Sequence, residues 1–167
     1  MGYMSYMTYM GDVGDVLRPA ITRGATMSRI VVGVDGSEHA VRALHGALEE
    51  ARLRDATLEV VYAVPEMYLM ADPVMVPIPP REDLEAEGRQ IVADMLEGFD
   101  PGDVEVVTTV TVGSAASVLC RVAKGADMLV VASRGYGGFR GLLVGSVTQQ
   151  VVAHAPCPVM VIVPEDR

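Results

Sequence analysis

Residues 29–37 read Arg29-Ile30-Val31-Val32-Gly33-Val34-Asp35-Gly36-Ser37. The β-branched apolar run Arg29–Val34 has no polar alternation, which fits a strand buried on both faces, as in a parallel sheet. Asp-Gly-Ser then breaks it sharply. Ser37 can N-cap a helix whose apolar face would carry Val41, Leu44, Leu48 and Ala51, with charges opposite. Strand, turn and helix in immediate succession make the first half of a βαβ unit.

Outward from there the alternation continues. Thr57–Val64 reads as a second strand. Pro65–Pro80 holds five prolines and fits neither a regular helix nor a central strand. Glu82–Phe99 is a predicted helix, with Leu84, Gly88, Ile91, Met95 and Phe99 at helical spacing. Val104–Val112 is a third strand, Ser114–Lys124 a third helix and Met128–Ala132 a fourth strand. A glycine-rich stretch, Gly135–Gly141, leads into a fourth helix, Leu142–His154. Pro156-Cys157-Pro158 introduces a fifth strand, Val159–Val163. Such alternation predicts a single α/β domain built on a parallel sheet with helices on both faces. Ligands of such sheets bind beyond the carboxyl ends of the strands. Those ends are Asp35-Gly36-Ser37, Ala63-Val64-Pro65, Val112-Gly113-Ser114 and Ser133–Gly138.

The whole chain has 167 residues, room for one ordinary core. Residues 1–26 differ from the rest: Gly2-Tyr3-Met4, Ser5-Tyr6-Met7 and Thr8-Tyr9-Met10 repeat with period three, which suits neither helix nor strand. They read as a flexible extension before a domain at 27–164 and a tail at 165–167. Half the residues are hydrophobic, so the chain as a whole is not of the disordered class. The longest apolar runs have five residues, against the roughly 20 of a membrane helix. No apolar signal core follows a basic stretch, and the expectation is a cytoplasmic protein. Two cysteines, Cys120 and Cys157, lack metal-site spacing and read as reduced, partly buried thiols. The net charge of −9 argues against nucleic acid as a partner. The charge is uneven, however: residues 113–163 carry Arg121, Lys124, Arg134 and Arg140 against Asp127 alone.

The strongest local chemistry lies in residues 132–148, which leave a strand, pass through glycines and enter a helix near Gly145-Ser146. Glycines let a backbone approach a ligand closely, and a helix N-terminus offers free N–H groups to phosphate. Ser146 and Thr148 can add hydroxyls, and Arg134 or Arg140 a charge. A long structural turn with a hydroxyl cap is the competing reading. Asp35 can accept from ribose hydroxyls, hold Mg²⁺, or simply accept from the backbone N–H groups of its own turn. The P-loop pattern is excluded, since the one lysine, Lys124, lies elsewhere. Gly135-x-Gly137-x-x-x-Gly141 is one residue too long for the dinucleotide fingerprint. His39, His45 and His154 read as structural or solvated, and no nucleophile–base pair is evident.

Together these residues resemble the universal stress protein family over about Ser28–Val163. Three pieces carry the resemblance: Ile30–Ser37, Gly135 followed after nine residues by Gly145-Ser146, and His154–Val163. The resemblance implies a five-stranded parallel sheet in the order 3-2-1-4-5. It also implies the G-x-x-G-x9-G-[S/T] motif of the ATP-binding branch, here with Ala132 in place of the first glycine. Asp35, with Gly33 and Val34, would bind the adenosine portion. Ala63, Val131 and Ala132 would wall the adenine. Arg134, Gly135, Gly138, Gly145, Ser146, Val147 and Thr148 would surround the phosphates, with Mg²⁺ bound through ATP. The implied role is regulatory, with at most slow ATP hydrolysis or self-phosphorylation, in a homodimer joined through Val159–Val163. The alternative is a nucleotide-free dimeric interaction protein on the same fold.

Overall fold

The computed structural model describes residues 28–65, 79–135 and 144–164. The expectations for residues 1–26, most of the Pro65–Pro80 segment, Gly138, Arg140 and the tail lie outside the described residues. Among the described residues nine elements alternate: β1 (Arg29–Val34), α1 (Glu38–Arg54), β2 (Thr57–Val64), α2 (Arg81–Leu96), β3 (Val106–Val112), α3 (Ala115–Val122), β4 (Met128–Ala132), α4 (Ser146–His154) and β5 (Val159–Ile162). The strands form one parallel sheet in the order β3-β2-β1-β4-β5. Among the described residues no helix is long and apolar enough to cross a membrane.

β1 is central and its side chains split between two cores. Ile30, Val32 and Val34 join α1 and Val92 of α2. Val31 joins Ala116, Val118 and Leu119 of α3 and Val151 of α4. This two-sided burial is why β1 shows no polar alternation. α1 packs closely because its buried stripe is largely alanine: Ala40, Ala43, Ala47 and Ala51 with Leu44 and Leu48. Val41, expected on that face, is instead 37% exposed.

The differences from the expected boundaries have local causes. α2 stops at Leu96, and Gly98 then takes φ +74, a left-handed turn that leaves Phe99 outside the helix. Phe99 still packs on the core and stacks at a tilt on His45, ring centres 5.5 Å apart. Val104 N donates to Pro101 O, so β3 begins only at Val106. α3 is shorter than expected, with Ser114 outside it as N-cap. α4 starts at Ser146, because Gly145 is an extended cap residue at φ −71, ψ 159. β5 ends at Ile162, one residue early.

Gly88 of α2 sits against β2 and β3. A Cβ there would lie 2.6 Å from Val110 Cγ1 and 3.0 Å from Val64 Cγ2. Gly88→Ala gains about 1 kcal/mol of helix propensity but overpacks a rigid β-branched surface at roughly 1–3 kcal/mol. Urea denaturation should show a net loss of up to about 2 kcal/mol; a stabilised variant would contradict this packing.

Candidate functional site

A cavity of about 970 Å³ opens at the carboxyl ends of β1, β2 and β4. It lies where the strand order reverses, between β1 and β4, the usual ligand position in open α/β sheets. Gly33, Val34 and Asp35 line it from β1; Ala63 from β2; Val131, Ala132, Arg134 and Gly135 from β4 and beyond; Gly145, Ser146, Val147 and Thr148 from the start of α4. The structure thus brings together every described residue singled out from the sequence; Gly138 lies outside the described set. Gly36 and Pro65, at the strand ends named above, line it too, and so do Ala40, Val61, Tyr62, Ile91, Ala115 and Leu119, which had not been singled out as site residues. Ile91 had read as a position on the packed face of α2, and only tertiary packing brings it here.

Asp35 organises the β1 end. Its Oδ1 accepts from Ser37 N at 3.0 Å and from Ser37 Oγ at 2.6 Å. Ser37 Oγ in turn accepts from Ala40 N at 3.2 Å and caps α1. Gly36 between them has φ +82, a conformation that favours glycine. A Cβ at Gly135 would overlap Asp35 Oδ2. The loop after β4 therefore lies directly on this carboxylate, and glycine there is demanded by Asp35.

The other motif glycines divide. A Cβ at Gly33 would come 2.8 Å from Leu119 Cδ1, so this glycine admits a leucine of α3 against the strand. At Gly145 φ is −71, open to any residue. A Cβ there would meet the nearest described atom, Ser133 O, at an ordinary 3.5 Å. No packing among the described residues requires glycine at 145, where a Cβ would make only ordinary contacts with the backbone of Ser133, Arg134 and Gly135; Gly145 itself lines the cavity.

α4 is fastened to the end of β4. Gly145 N donates to Ser133 O at 2.7 Å, and Thr148 Oγ1 to Ala132 O at 2.7 Å. The Thr148 hydroxyl, expected to serve a ligand, is thus committed to the backbone, and Thr148 is buried. Gly145 offers no side-chain cap, so the first N–H groups of α4, from Ser146, Val147 and Thr148, have no helical acceptor. Nearby, Arg134 Nε is buried and has no hydrogen-bond partner among the described residues. An uncapped helix N-terminus and an unsatisfied buried guanidinium donor form an electropositive end suited to an anion. Among the described residues no group of three His, Cys, Asp or Glu side chains converges as a metal site.

Fold and cavity together define a doubly wound α/β domain with a ligand cleft at its switch point. The chain belongs to the universal stress protein family: the model of that family matches residues 27–163. A universal stress protein of Mycolicibacterium smegmatis is 34% identical over 81% of this chain and 45% of its own length. One of Thermus aquaticus, from the QAH/OAS sulfhydrylase 3′ region, is 35% identical over 80% of this chain and 96% of its own. The chain spans about half the length of the first curated relatives it matches. Among solved structures, UspA from Lactobacillus plantarum superposes with TM-score 0.65 at 26% identity, over 83% of this chain and 99% of that one. The same fold occurs in a universal stress protein in complex with cAMP (TM-score 0.54, 23% identity, 81% of this chain and 96% of that one). It occurs also in one from Archaeoglobus fulgidus in complex with dAMP (TM-score 0.51, 24% identity, 83% and 99%).

Thr148→Val keeps the side-chain shape but leaves Ala132 O without its hydroxyl donor. We expect a loss of about 1–2 kcal/mol in chemical denaturation. An unchanged midpoint would mean that the bond does not hold α4 to β4.

Proposed function

We propose that this chain is a regulatory protein whose cleft binds an adenine nucleotide, ATP by preference, with Mg²⁺ carried in on the phosphates. The observation that carries the reading is the pairing of the uncapped α4 N-terminus with the unsatisfied Arg134 Nε in one cleft. Both are positions that polyphosphate would satisfy. Apolar surface from Ala63, Val131, Ala132 and Leu119 offers the base a wall. Asp35 stands between, where its carboxylate can accept from the sugar hydroxyls. The cAMP and dAMP complexes of proteins with this fold support the same ligand class. ATP supplies charge for the anion end; Mg²⁺ commonly binds through one or two carboxylates plus substrate phosphates, and Asp35 is the carboxylate among the described lining residues. Because Asp35 Oδ1 is already held by Ser37, fast general-base chemistry is not expected, and hydrolysis or self-phosphorylation would be slow.

Calorimetric titration with ATP, with and without Mg²⁺, tests this. Wild type should release binding heat, Gly135→Glu should release none, and Gly145→Ala should bind at least roughly tenfold more weakly while losing less than about 1 kcal/mol of stability. A flat titration of the wild type would overturn the reading and favour a nucleotide-free interaction protein. Retained affinity in Gly145→Ala would remove α4 from the site.

The same reading includes a homodimer through β5. That strand lies at the sheet edge, its four residues are only partly buried, and Val163 beyond it is 48% exposed. Apolar edges of this kind are normally paired or covered. Sedimentation should find a dimer at micromolar concentration; monomer alone would contradict it.

A further inference from the structure

At the end of the sheet opposite the cleft, two thiols share one corner. Cys120 lies on α3, two residues before its end, and Cys157 lies in the link from α4 to β5. Both are partly buried and both pack against the core cluster of Val118, Leu119 and Leu129. Arg29 marks the corner independently. Its Nη2 donates to Val122 O at 3.1 Å and Lys124 O at 2.9 Å, at the end of α3, and its backbone N donates to Asp127 Oδ2 at 2.8 Å. The register places Val159 beside Leu129, so Cys157 enters the sheet next to Asp127. The thiol of Cys157 is raised above the ordinary thiol range, first by burial and then by the charge of Cys120, while Arg29 opposes the shift. Burial raises Cys120 as well.

We propose that Cys120 and Cys157 are a redox modification site that closes to an intramolecular disulfide under a peroxide oxidant. One thiolate attacks the peroxide, an S–O bond forms as the O–O bond breaks, and water leaves. The second thiol then displaces hydroxide from that sulfenic acid, the S–S bond forms and a second water leaves. Two thiols and one hydrogen peroxide become one disulfide and two waters. Because both thiols are protonated at neutral pH, the reaction is slow there. The bridge would tether the end of α3 to the link after α4. Both helices reach the cleft at their other ends, through Ala115 and Ser146. Asp127 is the further ionisable side chain beside the pair and accepts from Arg29 N, and among the described residues no three His, Cys, Asp or Glu side chains converge there as a metal site.

The test treats the full chain with hydrogen peroxide at alkaline pH and then with a thiol alkylator under denaturing conditions. Peptide mass spectrometry should find both cysteines protected and a peptide cross-linked at 120–157, reversed by a dithiol reductant. Thermal unfolding of the oxidised protein should move up by roughly 5–10 °C relative to the reduced protein, and Cys120→Ser should show neither the cross-link nor the shift. Sulfinic acid on one cysteine with the other still alkylated, or a cross-link between two chains, would overturn the proposal.

Discussion

The carboxylate of Asp35 is the junction on which the cleft depends. One oxygen takes two hydrogen bonds from Ser37, which then caps α1, and the other faces the position where any side chain at Gly135 would stand. The end of β1 and the start of α1 are thereby held to one group, and Gly135 after β4 packs directly against it. Charge-assisted bonds of this kind are among the stronger ones available to a folded chain. Beside Asp35, β1 and β4 end at the same level of the sheet. Ser133 O and Ala132 O then clamp α4 through Gly145 and Thr148.

The electrostatics of the site are local, not global. The chain is acidic overall, yet the segment that builds the anion end carries its basic side chains with one acidic residue against them. A helix terminus acts only over its first turn, so the chain's net charge of −9 does not cancel it at ionic strengths that screen distant charges. The buried Arg134 Nε has the same meaning: a donor left unsatisfied inside a fold costs free energy, and an anion would remove that cost.

Much of this was legible in the sequence because burial leaves a periodic trace. β1 could be read as a doubly buried strand since both cores need its apolar side chains, and the strand–helix alternation then restricted the topology to a parallel sheet. Asp35, Gly135 and Gly145 were legible because turn and phosphate chemistry demand particular residue types at fixed spacing. What escaped depends on tertiary placement. Ile91 looks like a core position from spacing alone, and only the tertiary packing of α2 brings it to the cleft. Val41 looked buried, yet the stripe of α1 follows the alanines, which allow the closest approach to the sheet. Of the two starts read for α4, Leu142 from the apolar pattern and Gly145-Ser146 from the glycine motif, the structure bears out the second, with Gly145 as its extended cap. The division of labour among the glycines was also invisible: Gly33 serves Leu119, Gly135 lies against Asp35, and Gly145 lines the cavity with no described packing that demands it.

The central claim is that the first turn of α4 is where a nucleotide's phosphates are held. The most direct measurement is the backbone amide spectrum of the isotopically labelled protein as Mg-ATP is added. The account predicts large, saturable shifts at the N–H groups of Ser146, Val147 and Thr148, with smaller ones at Gly135 and Ala63. Saturable shifts confined to other parts of the chain, with the α4 amides unmoved, would contradict it.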